Sequence, residues 1–563
     1  MTRWIAIFGI SIIALAGVAA GSGIWGYFSH RDQIAPVYGW AERAIRKVRR
    51  EIGLPSETAI RVQRVETTFL TLLGTTYTRD DNDFLNGGGL SKWGEDVLMI
   101  NHHGTIYYLD EDLGLLESDI SAPETGKAAY VALAAQKYPD QWPKEDSLRF
   151  MDVEFIDSEA YRGLIVSYTF IDVENECYRT RLSGLEIAND VTSIKDVQAG
   201  SDDWEIIFET SPCLEFNPSR ELIVGYMGGG RVAFKAPNLL YLGSGEYHRE
   251  GFYREDAGIQ DDDSDYGKTI EVDLATRSGR HFSKGHRNLQ GVEIDRTGRL
   301  WTTEHGMRGG DELNLIVDGE NYGWPLENLG TLYNGLPAPT IGEPGRHEVF
   351  AAPVFAWSPS AAVSSLARID GFHETWDGDL LIGSLRGRTL FRARIRGERI
   401  VTLEPIPIGE RIRDVLQVGP EKLAVMLDSN ELVIFTIEER KDPLEGLVAG
   451  LVAGGMSQAR ADTVQDTFVS CNECHSFQEL IHGAGPSLHN VADRAIAGTA
   501  FSGYSDELQQ VGGTWTREAL ISYLSDPESF APGTWMTGQG VSGTELAGDI
   551  ATGFQWLKDQ TAP

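Results

Sequence analysis

Positive charge is scarce in this chain, and so is cysteine. Its 49 lysines and arginines stand against 83 aspartates and glutamates, a formal net charge of −34. A deficit of that size excludes the phosphate backbone of a nucleic acid as a partner. It suits an exported protein and would steer a cationic redox partner toward it. Four cysteines in 563 residues leave one closely spaced pair, so there is no second pair to complete a structural zinc site. The acidic run from Asp261 to Asp265 lacks the ligand spacing of an EF-hand and reads as a solvated loop. The chain is too long for one core, so two or more domains are expected. Its hydrophobic content, 41%, is that of a globular protein.

From Trp4 to Phe28 no residue is charged. That is long enough to cross a bilayer, and Trp4, Trp25, Tyr27 and Phe28 suit an interfacial belt. The rival reading is a cleaved signal peptide, with Val18-Ala19-Ala20 as the cleavage site. The apolar stretch runs on past that site, which favours an N-terminal transmembrane helix over residues 1–30. Arg43, Arg46, Lys47, Arg49 and Arg50 follow the span and by the positive-inside rule argue for the cytoplasm. The C-terminal motif argues the opposite and prevails. Residues 31–55 read as a helical spacer.

That motif is Cys471-Asn472-Glu473-Cys474-His475, the CxxCH attachment signature of c-type haem. Two thiols bond the porphyrin and His475 is placed to ligate the iron. Such haem is attached outside the cytoplasm, which puts the chain on the periplasmic side of a bacterial inner membrane. After His475 there is a single methionine, Met536, the expected sixth ligand; His482 and His489 are the alternative. The remaining cysteines, Cys177 and Cys213, are either a disulfide or two buried thiols.

Residues 461–563 resemble a class I cytochrome c through GAGPSLHNVADR, FSGYSDELQQVGGTWT and FAPGTWM. The resemblance implies an all-α domain in which the Pro486 carbonyl holds the second ring nitrogen of His475. It also implies that Tyr504 and Trp515 contact the haem propionates. From residue 56 to 440 the pattern is β: short alternating runs separated by Gly, Asp and Asn turns. The recurrence points to propeller blades, with a large β-sandwich or a β-helix as the alternative.

Within this region GHRNLQGVEIDRTGRLWTTEHGMRGGDELNLIVDGENYGWP (285–325), WDGDLLIGSLRGRTLF and GERIRDV resemble the glucose/sorbosone dehydrogenases. Those are all-β six-bladed propellers carrying pyrroloquinoline quinone (PQQ) and calcium. The resemblance places Arg287, Asn288, Arg386, Arg411 and Arg413 on the PQQ. Arg411 and Arg413 are two apart, so on a strand they share a face, which is unfavourable unless an anion sits between them. The carbonyls of Gly306 and Met307 would hold one calcium, with Met307 replacing the usual proline. Glu312 and the Tyr322 carbonyl would hold a second, oxygen-only ligation that suits calcium.

The resemblance breaks at the base. Met227 stands where the family has its proton-accepting histidine, and Tyr226 at the polar neighbour. A family glutamine has no counterpart, its place being taken by SLRFMDVEF (147–155). His102, His103 and His305 are the replacement candidates, with His305, beside the calcium loop, the best placed. Residues 441–460, rich in Gly and Ala, read as a linker whose apolar character suggests docking. The expected protein is a membrane-anchored quinoprotein–cytochrome fusion. It would oxidise a sugar or other alcohol and pass electrons to its own haem and then to a respiratory acceptor. The alternative is a non-catalytic propeller that docks partners while the cytochrome relays electrons from another donor.

Overall fold

The structure, a computed structural model, describes residues 61–560 apart from 79–86, 112–113, 138–147, 216–224, 253–255, 430, 439–441, 479–481 and 537–539. The expected anchor (1–30) and spacer (31–55) lie outside the described residues. Among those described, no helix is long and apolar enough to cross a membrane. The chain divides into two compact units, one ending at Glu438 and one spanning Glu439–Pro563.

The first unit is a six-bladed β-propeller. Five antiparallel sheets follow in chain order, opening with the strands Gly89–Trp93, Phe150–Asp157, Gly229–Lys235, Leu289–Ile294 and Val363–Arg368. The sixth blade is made from both ends of the unit. Ile412–Gly419, Lys422–Leu427 and Glu431–Glu438 are joined by Thr71–Thr78 and Arg61–Glu66. The six opening strands neighbour one another in a closed cycle around a central channel. Blade-on-blade packing buries both faces of the middle strands. Leu380–Ser384 is buried throughout, and Lys422–Leu427 is buried after its first residue. The outermost strand Arg399–Pro407 is mostly open. This explains why alternation is clear only at the rim: a strand covered on both sides reads as a continuous apolar run.

Five of the six opening strands shift register within their first few residues, between Phe150 and Asp152, Gly229 and Val232, Leu289 and Gly291, Val363 and Leu366, and Ile412 and Asp414. A bulge re-aims the residue it inserts. Here the inserted positions include Arg231 and Arg413. Arg231 closes across the channel, donating to Asp152 (3.1 Å) and Asp414 (2.7 Å) and to the Arg413 carbonyl (3.0 Å). Cys177 and Cys213 form a disulfide, Cα–Cα 5.5 Å, in the second blade.

The second unit is helical. Ala461, Val464 and Phe468 on the helix Gln458–Cys471 pack with Ala547, Ile550, Ala551 and Phe554 on Thr544–Gln560. Arg460 pairs with Asp549 across the same two helices (2.7 Å). The stretch expected as a linker carries a helix, Leu447–Ala453, whose Leu447 and Leu451 lie in this unit's own core. A Cβ on Gly450 would overlap the Trp556 indole, so glycine permits the contact.

Candidate functional site

In an antiparallel blade the loop entering the first strand and the loop joining the second to the third open at the same end. At that end of the channel the structure gathers most of the residues singled out in the propeller. Arg411 Nε and Arg413 Nε converge on one carboxylate, donating to Asp428 Oδ2 (2.7 Å) and Oδ1 (2.8 Å). The anion between the two arginines is therefore a side chain of the chain itself. One carboxylate against two guanidinium groups leaves a net positive charge. Arg413 is nearly buried, whereas the Arg411 side chain is 44% exposed.

Arg149 adds a third cation. Its guanidinium lies over the Tyr226 ring at 5.2 Å, and burial, then Arg413, push it down to about 10. Buried like charges close enough to depress one another suit a polyanionic ligand. Arg149 sits inside SLRFMDVEF, where the sequence shows only a missing glutamine. Its signal was a lone cation at the entry of an apolar strand.

Two histidines share this field. His102 is buried, and burial followed by His103, Lys127, Arg149 and Arg413 holds it down at about 3. Its Nδ1 has no hydrogen-bond partner. His305 is lowered to about 4, chiefly by burial, with Arg287 and Arg413 contributing. Its Nδ1 accepts from the Asn288 amide at 3.2 Å. Both imidazoles are neutral at neutral pH. His103 packs its ring on that of His102, centroids 3.7 Å apart, and approaches Lys127. Met227 is half-buried with φ +64°, and its carbonyl accepts from the Tyr247 amide.

Both terminal nitrogens of Arg287 are engaged, while its Nε is buried without a hydrogen-bond partner. It donates to the His305 carbonyl (3.1 Å), to the Gly306 carbonyl and to the Tyr333 hydroxyl (3.0 Å), and lies 3.9 Å from Glu246. Its guanidinium thus stands on one of the carbonyls that the resemblance gave to calcium. Asp311 fixes this loop, accepting from the Gly306 amide (3.0 Å), Ser360 (2.6 Å) and the Ala362 amide (2.5 Å). Met307 is buried against Ile259 and Trp324. Arg386 is exposed on the loop after Leu380–Ser384.

Glu312 is buried with a single amide donor, Asn314 (3.1 Å). Burial and then Glu304 push its carboxyl well above the usual range. Glu327 Oε2 and Asn314 Oδ1 are also buried without partners. That oxygen-rich surplus fits a hard dication. Glu304 is satisfied by His286 (2.9 Å), Asn314 (2.8 Å) and the Arg287 amide (2.7 Å).

In the helical unit the CxxCH segment continues the last turn of Gln458–Cys471. Cys474 and His475 amides both donate to the Cys471 carbonyl. Positions i, i+3 and i+4 of such a turn share a face, which brings both thiols and the imidazole to one side. His475 donates Nδ1–H to the Pro486 carbonyl at 2.7 Å, leaving Nε2 to face a metal. Such a bond fixes the tautomer and raises ligand basicity. Cys471, Tyr504 and Met536 border the apolar cluster that contains Trp515. His482 Nδ1 accepts from the Ser487 amide (3.0 Å), so that nitrogen is already occupied. Arg494, absent from the sequence reading, donates to the carbonyls of His489 (2.6 Å) and Ser487 (2.8 Å). Its Nε is buried without a partner, a donor that a haem propionate would satisfy.

Residues 151–434 match the family model described as Glucose / Sorbosone dehydrogenase. An uncharacterized protein of Synechocystis, slr1608, is 32% identical over 284 residues, 46% of this chain and 66% of that protein. The aldose sugar dehydrogenase YliI of Escherichia coli is 27% identical over 367 residues, 61% of this chain and 91% of that protein. At the other end, a cytochrome c homolog of Rickettsia felis is 36% identical over 104 residues, 18% of this chain and 58% of that protein. The chain thus spans just under two thirds of the first relative's length and little over half of the last.

Proposed function

We propose that this chain, which belongs to the glucose/sorbosone dehydrogenase family, is a quinoprotein dehydrogenase that oxidises a sugar or simple alcohol. Electrons would pass to its own c-type haem and then to a respiratory acceptor. It would work on the periplasmic side of the membrane, anchored or exported by residues 1–30. The observation that carries the reading is the meeting of Arg149, Arg411 and Arg413 at one end of a propeller channel, in a chain whose helical unit carries a CxxCH motif.

When bound, PQQ supplies a hydride acceptor and the haem a one-electron relay. Arg149, Arg411 and Arg413 would hold the carboxylates of the quinone, with Arg386 and Asn288 as further contacts. Calcium would be held by the carbonyls of Gly306 and Met307, with a second ion at Glu312 and the Tyr322 carbonyl. Loading the first of these requires Arg287 to release the Gly306 carbonyl. His305 takes the substrate hydroxyl proton, its ring fixed by Asn288. Burial is the larger cause of the low His305 value, and a bound polyanion would offset the smaller share that comes from Arg287 and Arg413, moving the imidazole toward the range a base needs. His475 and Met536 would ligate the iron, Cys471 and Cys474 would bond the porphyrin, and Arg494 and Tyr504 would meet the propionates.

The test is anaerobic absorbance of the oxidised haem after adding PQQ and calcium, then aldoses and simple alcohols. The expected result is PQQ-dependent haem reduction by a substrate. No reduction together with no PQQ binding would leave the alternative, a docking propeller beside a relay cytochrome.

A further inference from the structure

Beyond the quinone site, the loop joining Leu239–Ser244 to Lys268–Asp273 holds a cluster that the proposed reaction does not use. Glu246, His248 and Glu250 each offer one ligand atom, and these atoms lie within 4.8 Å of one another. Glu246 is fully buried, and neither carboxylate oxygen has a hydrogen-bond partner. Glu250 is 4% exposed, and its Oε2 is likewise without one. Two buried carboxylates that leave hydrogen-bonding capacity empty are rare unless something else occupies it. Among the described residues, the cation paired with Glu246 is Arg287, which stays 3.9 Å away, beyond hydrogen-bonding distance.

The loop is held rigidly. Tyr247 drives its ring between Tyr178 and Tyr266, and its hydroxyl contacts Thr180 (2.7 Å) and Thr169 (3.2 Å). The Glu246 amide donates to the Arg287 carbonyl, and the Arg249 amide to the Glu246 carbonyl. Tyr247 and His248 both take left-handed backbone (φ 53° and 59°), a tight turn that brings Glu246, His248 and Glu250 together.

We propose that Glu246, His248 and Glu250 form a binding site for a divalent transition-metal ion, with zinc as the reference ion. An imidazole with two carboxylates is a mixed nitrogen–oxygen set. It favours zinc and its neighbours over calcium, which takes oxygen alone. None of the residues assigned above to calcium takes part. Because Glu246 also faces Arg287, a filled site ties this loop to the cofactor end of the channel.

The experiment uses the full-length, haem-loaded protein without PQQ, so its outcome is independent of the dehydrogenase reading. Protein stripped with EDTA is titrated with zinc chloride against a chromophoric chelator, beside Glu246→Gln, His248→Ala and Glu250→Gln. Circular dichroism and the haem spectrum check folding. His248 is only half-buried, so its replacement should fold even where a buried glutamate's does not. Wild type is expected to hold one zinc more than the variants, with affinity at least about tenfold higher than that of His248→Ala. Millimolar calcium should not displace it. The proposal is overturned if wild type draws no zinc from the chelator, if folded His248→Ala holds zinc equally well, or if calcium displaces it.

Discussion

Asp428 is the residue on which the cofactor end of the channel turns. It neutralises half of the charge that Arg411 and Arg413 bring together, so removing it leaves the buried Arg413, beside a part-exposed Arg411, without its counter-charge. Asp428→Asn should lower stability by about 3 kcal/mol, the cost of orphaning a buried charge. Added PQQ should recover more of the thermal midpoint in this variant than in wild type. Equal midpoints for the two proteins without cofactor would sink the argument. The two histidines separate by kinetics. His305→Gln should lower kcat by roughly 10²–10⁴-fold, while His102→Gln, if it only shapes the field, should act mainly on quinone affinity. The reverse pattern would move the base to His102.

Much of this site was legible as residue types. The arginines stood in short motifs, and His305 stood beside the loop it touches. Asp428 was not legible, because its partners come from another strand and only the register brings them together. Arg149 was hidden for a related reason: an absent glutamine drew attention to a loss, and the gain beside it shows only in three dimensions.

At the scale of elements, the helix Leu447–Ala453 shows how a glycine-rich stretch becomes structure. Glycine weakens a helix in isolation, so EGLVAGLVAGG reads locally as a connector. What holds it is distant in sequence: Leu447 and Leu451 enter the cytochrome core, and Gly450 admits Trp556. Gly450→Val should therefore destabilise the helical unit by about 2 kcal/mol through overpacking. The propeller's own unfolding transition should be unchanged. Calorimetry with the haem absorbance as a second probe would resolve the two, and an unshifted haem-linked transition would contradict the role given to Gly450. The repeated bulges of the opening strands are a comparable case. Nothing in a two-residue alternation announces an inserted residue, yet the insertion aims Arg231 and Arg413.

For the whole molecule, the channel beyond the Arg231 closure is a cavity of about 450 Å³ bordered by Glu154 and Glu293. Burial pushes the Glu293 carboxyl up to about 7, with Arg368 pulling the other way. The folded state therefore keeps a proton that the unfolded chain loses near 4.3. This contribution to stability is complete at acid pH and disappears as the pH rises toward 7. Glu293→Gln should match wild type near pH 4.5 and melt about 2 °C higher at pH 8. An identical difference at both pH values would refute the assignment. The blade pattern was legible from turn spacing, whereas the count of six came from the family resemblance and not from the spacing, because one blade borrows strands from both ends of the unit. That borrowing has a consequence in time. Thr71–Thr78 meets Glu431–Glu438 along its whole length, so one of the earliest strands to be synthesised waits for one of the last. Until residue 438 emerges the ring stays open, its first strands an unsatisfied edge that a chaperone or a neighbouring chain can reach. Any nascent chain that stops short of Glu431 can never close.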